Sequence, residues 1–108
     1  MLTKLFAVTR GFTHRFPQGN EPFAIMTRLI EECGELAQQV NHFENMGVKR
    51  RKMGEPDPRA LAKEIAQVLQ CAANVAVYYG VEADVESALE TTYQRLTAEG
   101  HIPPDSVV

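Results

Sequence analysis

A chain of 108 residues, 44% hydrophobic and 23% charged, has the size and composition of one soluble domain (1–108) with a modest core. A net charge of −3 and a pI near 5.6 argue against binding of a nucleic-acid polymer, which usually needs a basic balance. No Trp and only 7% aromatic residues point to aliphatic helix packing rather than a sheet sandwich.

The first segment, from Leu2 to about Phe16, spaces Leu2, Leu5, Phe6, Val8 and Phe12 mostly as a helix would, and Pro17-Gln18-Gly19-Asn20 ends it. Met1 to Phe6 has one Lys and no long apolar core, so no signal peptide is expected. A second helix is expected from Asn20 or Glu21, with Asn20 as its N-cap and Pro22 in the first turn. Phe23, Met26, Leu29, Ile30, Cys33, Leu36, Ala37, Val40 and Phe43 recur in steps of three and four along it. Gly34 in its interior costs about 1 kcal/mol relative to Ala; either a close helix approach requires it or it is simply tolerated. The helix should fade near Met46-Gly47.

The stretch from Gly47 to Pro58 brackets Lys49, Arg50, Arg51 and Lys52 with two Gly and two Pro, and reads as a loop. A third helix is expected from Pro58 to Tyr79, with Asp57 as N-cap and Gly80 as the left-handed residue that closes it. From Ile65 to Tyr79 it is apolar nearly all round, interrupted by Gln67, Gln70 and Asn74. Apolar character on more than one face predicts burial on more than one side, hence a subunit interface. A fourth helix should run from about Ala83 to Ala98 with Val85, Ala88, Leu89, Tyr93 and Leu96 inward, followed by a tail from about residue 100. No strand is expected. Cys71 to Tyr79, the longest nearly apolar run, is too short for a membrane span. Cys33 and Cys71 are expected as buried free thiols of a cytoplasmic protein, a disulfide between neighbouring helices being the alternative. His14, His42 and His101 have no metal-ligand spacing and are expected at the surface or at a pocket edge.

The chemistry concentrates in Glu31-Glu32-Cys33-Gly34-Glu35. On a helix, Glu31, Glu32 and Glu35 share one side and repel by about a few tenths of a kcal/mol per exposed pair. Such a face needs solvent ions, basic side chains or a divalent cation beside it. Antiparallel pairing of the second and third helices brings Glu64 to within ~7 Å of the depth of Glu35, at a rise of about 1.5 Å per residue. Glu32, Glu35 and Glu64 can then converge. An all-oxygen site suits Mg²⁺, which binds through a few carboxylates, waters and substrate phosphates. The basic run Lys49–Lys52 is available for phosphates or is simply a solvated loop. Gln67, Gln70 and Asn74 are available for hydrogen bonds between helices. Phe16, His14 and Asn74 are candidates for the border of a base pocket.

The blocks Leu29-Ile30-Glu31-Glu32-Cys33-Gly34-Glu35-Leu36-Ala37 and Lys63-Glu64-Ile65-Ala66-Gln67-Val68-Leu69 resemble the EExxE and ExxD motifs of the MazG-like all-α nucleoside triphosphate pyrophosphohydrolases. The resemblance extends over roughly Phe23 to Leu96. It implies an all-α four-helix unit that assembles into a dimer or tetramer, with sites near subunit interfaces. It also implies Mg²⁺-dependent (or Mn²⁺-dependent) cleavage of a nucleoside triphosphate to monophosphate and pyrophosphate, with house-cleaning of non-standard nucleotides as one role open to such an enzyme. Glu32, Glu35 and Glu64 match metal ligands. Glu31 matches the first acid of the block, which binds a further metal or orients the attacking water, and Glu31 and Glu35 are the candidate catalytic acids. Gln67 stands where the family has Asp. Its amide oxygen can ligate Mg²⁺ but cannot act as a base. Thr92 and Leu96 stand where the family often has a phosphate-binding Lys and Asn. Lys63, Arg95 or the Lys49–Lys52 run would have to compensate, and Lys63, Lys49, Arg50, Arg51, Lys52 and Asn74 are the candidate substrate contacts. The alternative is a catalytically weakened nucleotide-binding or helical interaction protein.

Overall fold

A computed structural model describes residues 1–44 and 54–103. Four helices account for most of the described residues, and no strand occurs among them: α1 (Thr3–Arg15), α2 (Pro22–Phe43), α3 (Pro58–Tyr79) and α4 (Glu82–Ala98). The Lys49–Lys52 run lies outside the described residues.

The helix ends follow local chemistry. Pro22 opens α2, and the cap is Glu21 rather than Asn20. The Glu21 carboxylate accepts from Ala24 N at 2.7 Å and Phe23 N at 3.1 Å, satisfying two N–H groups of the first turn. Asn20 Nδ2 instead donates to Phe16 O at 2.8 Å, closing the end of α1. Asp57 caps α3 by accepting from Arg59 N at 2.9 Å. Gly80 terminates α3 at φ 68°, a left-handed conformation that glycine adopts without a Cβ penalty. The next residues lead directly into α4.

Helix α3 is the axis of the molecule, with α2 along one side and α1 along another, and a lighter contact to α4. Its small residues Ala73 and Ala76 allow α1 to approach closely, and Phe6 seats on them with Leu2, Leu5, Val77 and Val85 around. Ile25 is buried between α2 and its neighbours. His42 departs from its expected surface position. It is 4% exposed, and its Nε2 lies 2.7 Å from Gly54 O, which ties the last turn of α2 to the residues leading into α3. A ring at that turn reaches a backbone carbonyl that periodicity alone does not reveal.

Both thiols are free, but only Cys71 is partly covered, and Cys33 is exposed. The inward face of α4 is thin as well, since none of its residues is buried and Leu89 is 44% exposed. Its tether to α1 is polar: Arg10 Nη2 donates to Glu82 Oε2 at 2.9 Å and Leu2 N donates to Glu86 Oε1 at 2.7 Å.

Candidate metal and ligand site

The antiparallel packing of α2 on α3 brings Glu32, Glu35 and Glu64 together, with one carboxylate oxygen of each lying within 4.8 Å of the others. Glu32 and Glu64 are partly buried and Glu35 is exposed. An octahedral cation with oxygens at about 2.0–2.1 Å needs ligand oxygens no more than about 4.2 Å apart, so a small contraction of the three side chains meets that geometry. Glu32 is held above the ordinary carboxylate value of 4.5, first by desolvation, then by its hydrogen bond to Glu64 and by the charges of Glu35 and Glu64. Glu31, although adjacent in sequence, stays exposed and outside this group.

Gln67 points into the cluster. With its amide nitrogen turned toward the acids, it donates to Glu64 Oε2 at 3.2 Å and to Glu32 Oε2 at 3.1 Å. The opposite rotamer of the amide offers them an oxygen, which is favourable only with a cation between.

Beside the acids lies a cleft of about 370 Å³ between α1, α2 and α3, lined by Glu32 and Gln67 at one end. Phe12 and Phe16 from α1 and the turn after it form one wall, with rings 6.3 Å apart and inclined by 17°. Gln70, Cys71 and Asn74 from α3 also line it. The Gln70 and Asn74 amides find no protein partner among the described residues, which sets aside the expectation that they bond between helices. Among the described residues, Arg28 is the one cationic side chain that lines the cleft. Its Nη1 donates to Gly19 O at 2.7 Å. Gly19 itself sits at φ 74°, and a Cβ there would meet Arg28 Nη1 at 3.2 Å, so the turn and the guanidinium are fitted to each other.

Of the residues expected around a base pocket, Phe16 and Asn74 line the cleft and His14 does not. Lys63 is exposed and away from it. Arg28, Phe12 and Gln70 belong to the cleft without having been expected there. Arg28 lies four residues before Glu32, on the same face of α2, and that spacing is the signal that could have found it.

No protein-family model matches the chain, and no solved structure matches it. The chain is similar to YpjD of Bacillus subtilis (strain 168), described as uncharacterized. The two are 48% identical over 48 residues, covering 44% of this chain and 40% of YpjD. A match of that extent, to a protein of unstated function, leaves the chemistry to be argued from the site.

Three acids, a switchable amide, one guanidinium and an adjoining aromatic and amide-lined cleft can together bind a divalent cation, an anionic group bridged to it, and a planar ring beyond. Oxygen donors alone favour a hard cation over zinc or copper.

Proposed function

We propose that the chain is a MazG-like, Mg²⁺-dependent nucleoside triphosphate pyrophosphohydrolase that works as a homo-oligomer and releases monophosphate and pyrophosphate. The observation that carries this reading is the convergence of Glu32, Glu35, Glu64 and the Gln67 amide at one end of the cleft. The acids would hold the cation, with the Gln67 oxygen as a neutral fourth donor. A divalent cation there supplies polarisation of phosphoryl oxygens and a more acidic bound water.

The remaining roles belong to the chain. Arg28 offers a guanidinium to a phosphate, its orientation held by Gly19 O. Phe12 and Phe16 offer an apolar wall to the base, and Gln70 and Asn74 offer donors and acceptors to its edge. Glu31, exposed next to the cluster, is available to orient water. Lys63, which does not line the cleft, would act on phosphates only by reaching it from outside, including from a second copy, and the Lys49–Lys52 run stays a candidate phosphate contact. A house-cleaning role in the cytoplasm fits a small enzyme of this chemistry.

The test is pyrophosphate release from a panel of canonical and modified triphosphates with Mg²⁺ or Mn²⁺. We expect release with at least one of them, and a fall of about 100-fold or more with Glu35→Gln, since loss of even an outer-shell partner of a metal costs about 10–100-fold. No release at high enzyme concentration removes the reading.

One observation favours a second reading, a nucleotide-binding relative with weakened catalysis. The Gln67 nitrogen can bridge Glu32 and Glu64 without any cation. Tight triphosphate binding without turnover, unchanged by Gln67→Asp, would support it.

A further inference from the structure

The wall that α1 gives the cleft carries two hydroxyls whose polarity is fixed. Thr9 and Thr13 line the cleft on the same face of α1 as Phe12 and Phe16. Thr9 Oγ1 donates to Leu5 O at 2.8 Å, and Thr13 Oγ1 donates to Arg10 O at 2.9 Å. A hydroxyl has one hydrogen, and both are spent inside the helix. What these oxygens offer a ligand is therefore an acceptor. Thr9 is 2% exposed, so turning its hydrogen toward a ligand gives up a buried bond.

The packing of α1 along α3 places the threonines within the cleft. Leu2 N bonds to Glu86, just after α3 ends, and Phe6 seats on Ala73 and Ala76. Helix α1 therefore runs antiparallel to α3, and Thr9 and Thr13 lie beyond Phe6 in the direction of Asn74 and Gln70. Asn74 is two helical turns from Gln67, about 10 Å at about 1.5 Å per residue. That span suits a sugar and a base. A nucleotide with its phosphates at the acids has its base beside the threonines and the two α3 amides.

We propose that the site selects a base with an exocyclic amino group beside an acceptor ring nitrogen, cytosine or adenine, over the oxo counterpart, uracil or hypoxanthine. This rests on the proposed function and specifies its base-binding end. The Gln70 and Asn74 amides do not make the choice, because a carboxamide holds both a donor and an acceptor and turns over to suit either edge. The threonine oxygens have no such freedom. An amino group donates to them while the neighbouring ring nitrogen accepts from an amide N–H. An oxo group sets its lone pairs against theirs and leaves acceptors unpaired away from water. Arg28, the cation that would favour an oxo group, stands one turn from Glu32, nearer the acids, and its Nη1 is bonded to Gly19 O.

CTP against UTP and ATP against ITP, in ribo and deoxyribo forms with Mg²⁺, isolate the exchange of amino for oxo. In at least one pair kcat/KM should favour the amino member by about 10-fold or more, the scale of one buried group left unpaired. Thr9→Val combined with Thr13→Val exchanges each hydroxyl for a methyl and should bring the ratio close to one, with helical circular dichroism retained. Serine at both positions should keep the preference. Calorimetric binding of CMP against UMP, and of AMP against IMP, gives the same comparison without turnover. A chain that cleaves both members of each pair alike loses this inference and keeps the proposed function. One that cleaves none, but binds CMP over UMP or AMP over IMP, loses the proposed function and keeps this inference. A preference that the double valine variant leaves unchanged would also overturn it, and the wild-type binding comparison decides the matter if that variant fails to fold.

Discussion

Gln67 decides what kind of site the acids make. A neutral amide lowers the repulsion of Glu32 and Glu64 by donating to both, which an aspartate could not do without a cation. Under the proposed function, Gln67→Asp should tighten Mg²⁺ binding about tenfold or more, measured by titration calorimetry, and raise turnover with it. The same substitution should destabilise the metal-free chain, since it adds a fourth negative charge.

Glu32 offers a test that involves no substrate. Its value in the folded chain is raised above 4.5, so its contribution to stability is fully present below that value and is lost as the pH rises through the folded one. Glu32→Gln stays neutral and avoids the loss. The melting temperature of the metal-free variant should therefore exceed that of the wild type at pH 7. The gap should close near pH 4. Equal melting temperatures at both pH values would contradict the assigned environment.

At the scale of elements, α4 is the part held by charge rather than by burial. No residue of it is buried, and Glu82 and Glu86 anchor it to α1. Both carboxyls lie below the usual 4.5: Glu82 first through its own backbone N–H and then Arg10, Glu86 first through Leu2 N. Their contribution is present above 4.5 and is lost as the pH falls through the lower folded values. Acidification should therefore release α4 before the α2–α3 pair. Hydrogen exchange corrected for intrinsic rates should show protection in 82–98 falling first, and Arg10→Ala should move that loss toward neutral pH. If α2 opened before α4, the polar tether would not be what limits α4.

The molecule as a whole is too open for its length. Its radius of gyration is 16.9 Å, against about 13 Å for a compact chain of this size. Under the proposed homo-oligomer, the exposed apolar residues of α2 and α3 would be covered by association, which would add to stability. The melting temperature should then rise with protein concentration, as mass action requires when folding and dimerisation are linked, and Ile30→Glu should abolish that dependence. A concentration-independent transition would mean that the single copy is already the stable unit.

Sequence alone determined the four helices, because the three-and-four spacing and the Pro, Asp and Gly signals at their ends are local effects. It also placed Glu32, Glu35 and Glu64 within reach of one another, since two antiparallel helices leave little freedom of register. The position of Gln67 could be read as a departure from a motif, but its bridge to Glu32 and Glu64 could not. That bridge depends on how far α2 and α3 are apart and on rotamers set by packing. The cleft belongs to tertiary structure too, because Arg28, Phe12 and Gln70 share it only once α1 docks on α3. Periodicity likewise marked Cys33 and Ile30 as inward residues. It reports that a face is apolar and not what covers it, and the folded chain leaves that face open. Among the described residues, one copy does not supply the burial expected from the sequence.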